Sequence, residues 1–237
     1  MDENVSNEQP IKNRKGLSVF FNILIIFLSI ISLSVAGVLI YQKRYLEPFW
    51  VNGQSMYPTF NKLALGPDGQ PLGVSGGGAT AGCTKLDYGA MDTHDRALKK
   101  IKRFDIVVCK YKFGDESDKI KRVVGLPGET IKFGQGENNG QLYVKKYEEF
   151  AFIEQPLDNQ YIEAGSYPSG EIVLADYEYY VLGDNRGHSS DSRTNGPIKY
   201  EWLVGKVICI HAHCDLKQNE DGSLEPTNIH HFIPRFL

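Results

Sequence analysis

Between Leu17 and Ile40 no charged residue occurs, and only Ser18, Asn22, Ser29, Ser32 and Ser34 break an otherwise apolar run. About 24 such residues, wound as a helix, cross a hydrocarbon core of roughly 30 Å with some tilt. A cleavable export signal has an apolar region of only about 7–15 residues, followed by small residues at the cut. Here Ser34-Val35-Ala36 lies inside the run rather than after it, which points to an uncleaved anchor. Lys12, Arg14 and Lys15 precede the run, and Lys43 and Arg44 come after it, a slight bias toward a cytoplasmic N-terminus. The expected organisation is therefore a short cytoplasmic segment at 1–16, a transmembrane anchor at 17–40 and a folded domain at 45–237 on the outer face.

The chain beyond the anchor is long enough for one globular domain. The formal charge of −3, with no basic block, argues against a nucleic-acid partner. The four cysteines, Cys83, Cys109, Cys209 and Cys214, have no paired spacing that dictates a disulfide framework. Short Val-, Ile- and Tyr-rich runs at 105–111, 120–124, 130–133, 142–144, 171–174, 179–182 and 204–212 are separated by Gly, Asn, Asp and Pro. They predict a mostly β domain with irregular connections, not βαβ units. Tyr45–Val51 reads as a further strand, with Phe49 and Val51 on one face and Trp50 on the other. Residues 61–86, rich in Gly, Pro, Ala and Ser and without hydrophobic periodicity, read as a flexible loop. Thr93–Lys100 is a short helical candidate, and Lys217–Thr227 a polar tail segment.

Three segments carry candidate chemistry. In Asn52-Gly53-Gln54-Ser55-Met56-Tyr57-Pro58-Thr59-Phe60, Gly53 permits unusual backbone angles and Pro58 restricts Tyr57, so Ser55 can sit at a bend. On its own this is a turn serine. In Lys119–Glu129, Lys119 and Lys121 share one strand face, so alternation alone does not single out either. In Gly183–Arg193, the density of Asp, Asn, Ser and Arg would suit a hydrogen-bonded surface loop.

Taken together in this order, Ser55–Thr59, Arg103-Phe104-Asp105-Ile106-Val107-Val108, Lys121–Gly128 and Gly183–Arg193 resemble the motifs of type I signal peptidases, in the Gram-positive form with one N-terminal anchor. The resemblance covers roughly residues 15–210. It implies the irregular β-rich catalytic domain of that family after one transmembrane helix. It also implies a Ser-Lys endopeptidase that cleaves N-terminal signal peptides from exported preproteins after small residues at the −1 and −3 positions. Ser55 matches the nucleophile and Lys121 the general base. A lysine serves as base only when neutral, and at its reference pKa about one in 2,500 is neutral at pH 7. Burial penalises the ammonium and lowers that pKa.

By the same matching, Ser189 would hydrogen-bond and orient the lysine amine. Gly53 stands at the oxyanion position, where some relatives carry a serine, leaving backbone donors from Ser55 and Gly53. Arg122, Asp184, Asp191 and Arg193 match a buried ionic support. Phe49, Val51, Met56, Phe60, Val108 and Ile120 match the walls of shallow apolar substrate pockets, or else form plain β core. The implied setting is a bacterial cell membrane, with preproteins, membrane lipid and the secretion translocase as partners and no cofactor.

The chain departs from the family pattern at two places. Phe104 stands where glycine is usual, so that turn is expected to differ. Gly187 and His188 replace acidic or amide residues. Cys209, His211 and His213 share a strand face, and Cys214 comes next, but the spacing fits no zinc signature and no metal is expected. His188 offers a Ser-His alternative that the Lys121 motif disfavours. One rival reading is of another class, an anchored non-catalytic factor, which would be expected to lose Ser55 or Lys121; a second, within hydrolases, is a self-cleaving Ser-Lys repressor-type protease, which would carry a DNA-binding domain instead of an anchor.

Overall fold

The computed structural model describes residues 12–72, 78–111, 117–146, 151–155 and 166–237. It divides into two compact units, residues 1–45 and 46–237. The first contains one 34-residue helix, α1 (Lys12–Tyr45). Its stretch Gly16–Tyr45 has a mean hydropathy of 2.9 and is long and apolar enough to cross a membrane. The hydroxyls of Ser29 and Ser34 donate back to the carbonyls of Ile25 and Ile30 at 2.8 Å. Inside an apolar phase that internal bonding is what makes a serine tolerable. The helix runs past the expected end at Ile40, and Lys43 and Arg44 lie in its last turn, where positive charge suits the helix dipole.

The second unit is mostly β. Its strands are β1 (Leu46–Trp50), β2 (Leu86–Asp92), β3 (Ile106–Cys109), β4 (Lys119–Gly125), β5 (Glu129–Phe133), β6 (Leu142–Lys146), β7 (Ile153–Gln155), β8 (Glu171–Val173), β9 (Glu178–Leu182), β10 (Ile198–Lys199), β11 (Leu203–Gln218) and β12 (Leu224–Phe236). The large sheet has the order β1-β2-β11-β3-β4-β9-β10, with β12 paired to the far half of β11. A smaller sheet has the order β7-β6-β5-β8. Every pairing is antiparallel.

The chain passes from the large sheet to the small one at Gly125-Leu126-Pro127-Gly128. Gly128 turns with φ +73°. A Cβ on Gly125 would lie 2.7 Å from Leu174 Cδ1 and 3.0 Å from Tyr180 Cβ, so only glycine lets the two sheets close there. Val124, Tyr180 and Leu182 of the large sheet pack with Ile131, Phe133, Leu142 and Val144 of the small one. Arg103 braces the same junction. Its guanidinium holds the buried Glu129 carboxylate at 2.6 and 3.0 Å and donates to Val124 O at 2.7 Å.

The expected strands all appear, most within a few residues at their ends, but the one expected to stop at Ala212 continues to Gln218. Strands β2, β7, β10 and β12 were not expected. Residues 61–86, expected as a flexible loop, pack in their described parts: Ala64, Leu72, Ala79, Cys83 and Leu86 are buried with Cys214 and Leu216. Leu65 bridges to Pro71 and Thr84. The apolar residues here are spaced by turns rather than by strand or helix period, which hid them. The expected polar tail is a hairpin, turned at Asn219–Ser223 with Gly222 at φ +84° and returning as β12.

Candidate active site

Ser55 lies in the loop between β1 and β2, on a tight series of turns. Gly53 has φ +100°, a backbone region closed to most side chains, and the Tyr57–Pro58 peptide is cis. Tyr57 N donates to Gln54 O at 2.9 Å, and Phe60 N to Met56 O at 3.0 Å. Between those turns Val51, Met56 and Phe60 are buried with Met91, Ile106, Val207 and Ile210. Their burial leaves the intervening Ser55 half-exposed at the surface of that core.

Lys121 is on β4, opposite Val107 of β3, and is 3% exposed. Lys119, on the same face but nearer the strand end, is half-exposed. The Lys121 ammonium donates to Ser55 Oγ and to Ile120 O, each at 3.0 Å. Burial dominates its electrostatics and holds its pKa below that of a free lysine. Among the described residues the N–H groups of Gly53 and Ser55 donate no hydrogen bond.

Beside Ser55 and Lys121 opens a cleft of about 520 Å³, with Phe49, Met91, Val108 and Ile120 among its walls. Of the six expected pocket residues, Phe49, Val108 and Ile120 line it. Val51, Met56 and Phe60 form the core beneath instead. Met91 escaped the sequence reading because its strand, β2, did.

The four ionic residues do not form one mutually paired group. Each carboxylate has its own arginine. Arg122, on the strand face opposite Lys121, holds Asp184 in a fork, Nε to Oδ1 at 2.7 Å and NH2 to Oδ2 at 2.6 Å. Thr59 Oγ1 donates to the same Asp184 Oδ2 at 2.5 Å, and Asn185 N donates to Ser55 O at 3.0 Å. The loop after β9 therefore grips the Ser55 loop at two points. Asp191, 0% exposed, accepts from Arg193 Nε and NH2 at 2.8 Å each and from Gly183 N at 3.0 Å. Burial alone would raise its pKa; the arginine and the amide outweigh burial and hold it below the usual carboxylate range.

Ser189 does not meet the lysine. Its buried Oγ meets the geometry of a hydrogen bond with no group among the described residues, and lies toward Asp191, whose pKa it helps to lower. It is nevertheless close to Ser55. A Cβ on Gly183 would stand 2.2 Å from Ser189 Oγ and 2.5 Å from Ser55 O, so that glycine is all that separates the two loops. His188 is exposed in a short 3-10 turn.

The turn at Phe104 keeps a conformation that favours glycine, with φ +71° on a phenylalanine. Its N–H donates to Val123 O at 2.7 Å and its carbonyl accepts from Arg122 NH1 at 2.9 Å. The ring packs on the inter-sheet core. The expectation of a different turn is thus replaced by a glycine-type turn held by both backbone groups. No cluster of three or more metal-ligating side chains occurs among the described residues. His211 instead stacks on His231, and Cys209 and Cys214 are buried thiols.

Residues 23–212 match the family model described as signal peptidase, peptidase S26. Signal peptidase I V of Bacillus subtilis (strain 168) is 40% identical over a match that spans 46% of this chain and 66% of that protein. Signal peptidase IB of Staphylococcus aureus (strain COL) is 28% identical over 75% of this chain and 85% of that protein. A solved signal peptidase I from Enterococcus faecalis V583 is 25% identical, covering 45% of this chain and 96% of its own, with a TM-score of 0.37. The motif-bearing strands and loops all lie within the family match, and the chain belongs to the signal peptidase family, peptidase S26.

Proposed function

We propose that this chain is a membrane-anchored Ser-Lys endopeptidase that removes N-terminal signal peptides from exported preproteins. The observation that carries the reading is the 3.0 Å contact between a buried Lys121 and Ser55, both of which line a cleft of mixed polar and apolar walls. Once neutral, the Lys121 amine turns its lone pair to the Ser55 hydroxyl and takes its proton as Oγ attacks the scissile carbonyl. The developing oxyanion is met by the Ser55 and Gly53 amides. Lys121 then protonates the leaving amine, and a water activated by the same amine hydrolyses the ester. The Ile120 carbonyl fixes the amine from behind.

Phe49, Met91, Val108 and Ile120 give the cleft shallow apolar walls, suited to small side chains such as alanine at the two positions that face it. The helix α1 acts as the anchor, with its N-terminus in the cytoplasm and the β-rich unit on the outer face, where preproteins emerge.

The direct test is cleavage of a preprotein in detergent by the full chain. Ser55→Ala and Lys121→Ala are each expected to lower kcat by about 10⁴-fold or more. Lys121→Arg is expected to be as inactive, since a guanidinium stays charged. Normal processing by Lys121→Ala would overturn the Ser-Lys reading and return attention to His188.

A further inference from the structure

The strand β12 lies beyond residue 212, where the family match ends, yet it returns to the nucleophile loop. Most of its side chains are exposed, Ile233 at 91% and Phe236 at 73%, so it adds little to the core. What it does contribute is Arg235, placed opposite Ile210 of β11. Arg235 NH2 donates to Thr59 O at 2.8 Å and stands 4.0 Å from Asp87 Oδ2.

Asp87, on β2, is a buried carboxylate that belongs to a reciprocal pair. Asn61 N donates to Asp87 Oδ2 at 2.7 Å, and Asp87 N donates to Asn61 Oδ1 at 2.9 Å. Asn61 is 1% exposed and sits at φ +59°. Its amide donates to Val51 O at 2.8 Å and Gly53 O at 3.1 Å. The start of the loop is thereby tied to its end, with Ser55 in between. Thr59 is held from two sides, its hydroxyl by Asp184 and its carbonyl by Arg235.

We propose that Arg235 is a positioning residue for Ser55: the C-terminal strand holds the far side of the nucleophile loop through the Thr59 carbonyl and the Asp87–Asn61 pair. The proposal rests on the reading of Ser55 as nucleophile. Arg235 touches neither substrate nor the reacting atoms. It sets where the hydroxyl stands relative to Lys121, and displacement of a reacting group by about 1 Å can cost 10²-fold in rate. The guanidinium also faces the buried Asp87 carboxylate, whose pKa burial pushes up against the opposing pull of the Asn61 amide, of His213 at 3.1 Å and, after them, of Arg235.

The experiment is steady-state cleavage of an Ala-x-Ala peptide by full-length Arg235→Ala, Arg235→Met and Arg235→Lys. It is run below each protein's thermal midpoint, with Ser55→Ala beside them. Arg235→Met keeps the stem and its apolar cover, and so guards against loss of the fold. The expected result is kcat lower by roughly ten- to a hundred-fold for Ala and Met, KM within about twofold, and substantial recovery in Lys. Wild-type kcat in both Ala and Met, a loss carried by KM, or no recovery in Lys would overturn the proposal. Should Ser55→Ala itself stay active, the nucleophile reading fails; should it be dead while Arg235→Met is normal, the clamp alone fails.

Discussion

Lys121 occupies a place that disfavours its own charge, with two measurable consequences. Burial lowers its pKa from the ordinary 10.5, so the neutral amine becomes available at lower pH than for a free lysine. Peptide cleavage should rise with pH and level off below 10.5; a limb that climbs only near that value would mean a solvated lysine. The stability effect has a definite sign. With the folded pKa depressed, the unfolded chain binds more protons between the two pKa values, so stability increases as pH rises through that window. Lys121→Met should therefore be inactive yet at least as stable at neutral pH, with a flatter stability profile toward alkaline pH in denaturant titrations. The sequence motifs announced Ser55 and Lys121, but alternation could not distinguish Lys121 from Lys119. Lys121 meets Val107 of β3 and the Ser55 loop, neighbours that the strand's own pattern does not show. Ser189 shows the opposite limit: its motif position implied a bond to the lysine amine, and its hydroxyl makes no such bond.

At the level of strands and loops, two glycines carry more of the site than any local signal revealed. A Cβ on Gly89 of β2 would lie 2.3 Å from Cys209 O and 2.9 Å from the Phe49 ring. Gly89→Ala should therefore push β1 or β11 away and disturb the cleft wall that Phe49 forms. We expect a loss of about 1–3 kcal/mol by denaturant unfolding, with a raised KM. Gly183→Ala, crowding Ser189 and Ser55 together, should instead act mainly on kcat. The Asp191–Arg193 pair supports the same loop. Because the folded pKa of Asp191 lies below its ordinary 3.8, its stabilisation is complete above that value and lost as pH falls through the folded pKa. Asp191→Ala should cost about 3–5 kcal/mol by stranding a buried arginine, measurable as a lowered urea midpoint. The pairing scheme was not readable from the motif, because by charge alone either arginine could answer either aspartate. Only the fold decides that Arg122 reaches Asp184 and Arg193 reaches Asp191.

Over the whole molecule, the anchor and the β-rich class were legible because an apolar run of membrane length and a succession of short strands are properties of contiguous sequence. The sheet order was not, since β2 finds its partners at β1 and β11, the latter far along the chain. The β-rich unit carries its own buried clusters, so a chain beginning at Leu46 should fold and keep the Ser55–Lys121 contact, checked by circular dichroism and slow peptide cleavage in solution. The late entry of β11 also bears on when this protein becomes a protease during its own synthesis. Ser55 and Lys121 are both made before residue 122, but β2 gains its second neighbour only with the strand that starts at Leu203, and the Thr59 carbonyl meets Arg235 later still. On the proposed reading, a nascent or prematurely terminated chain would hold Ser55 and Lys121 without the strands that place them, and proteolytic competence would wait until β11 and β12 have left the ribosome.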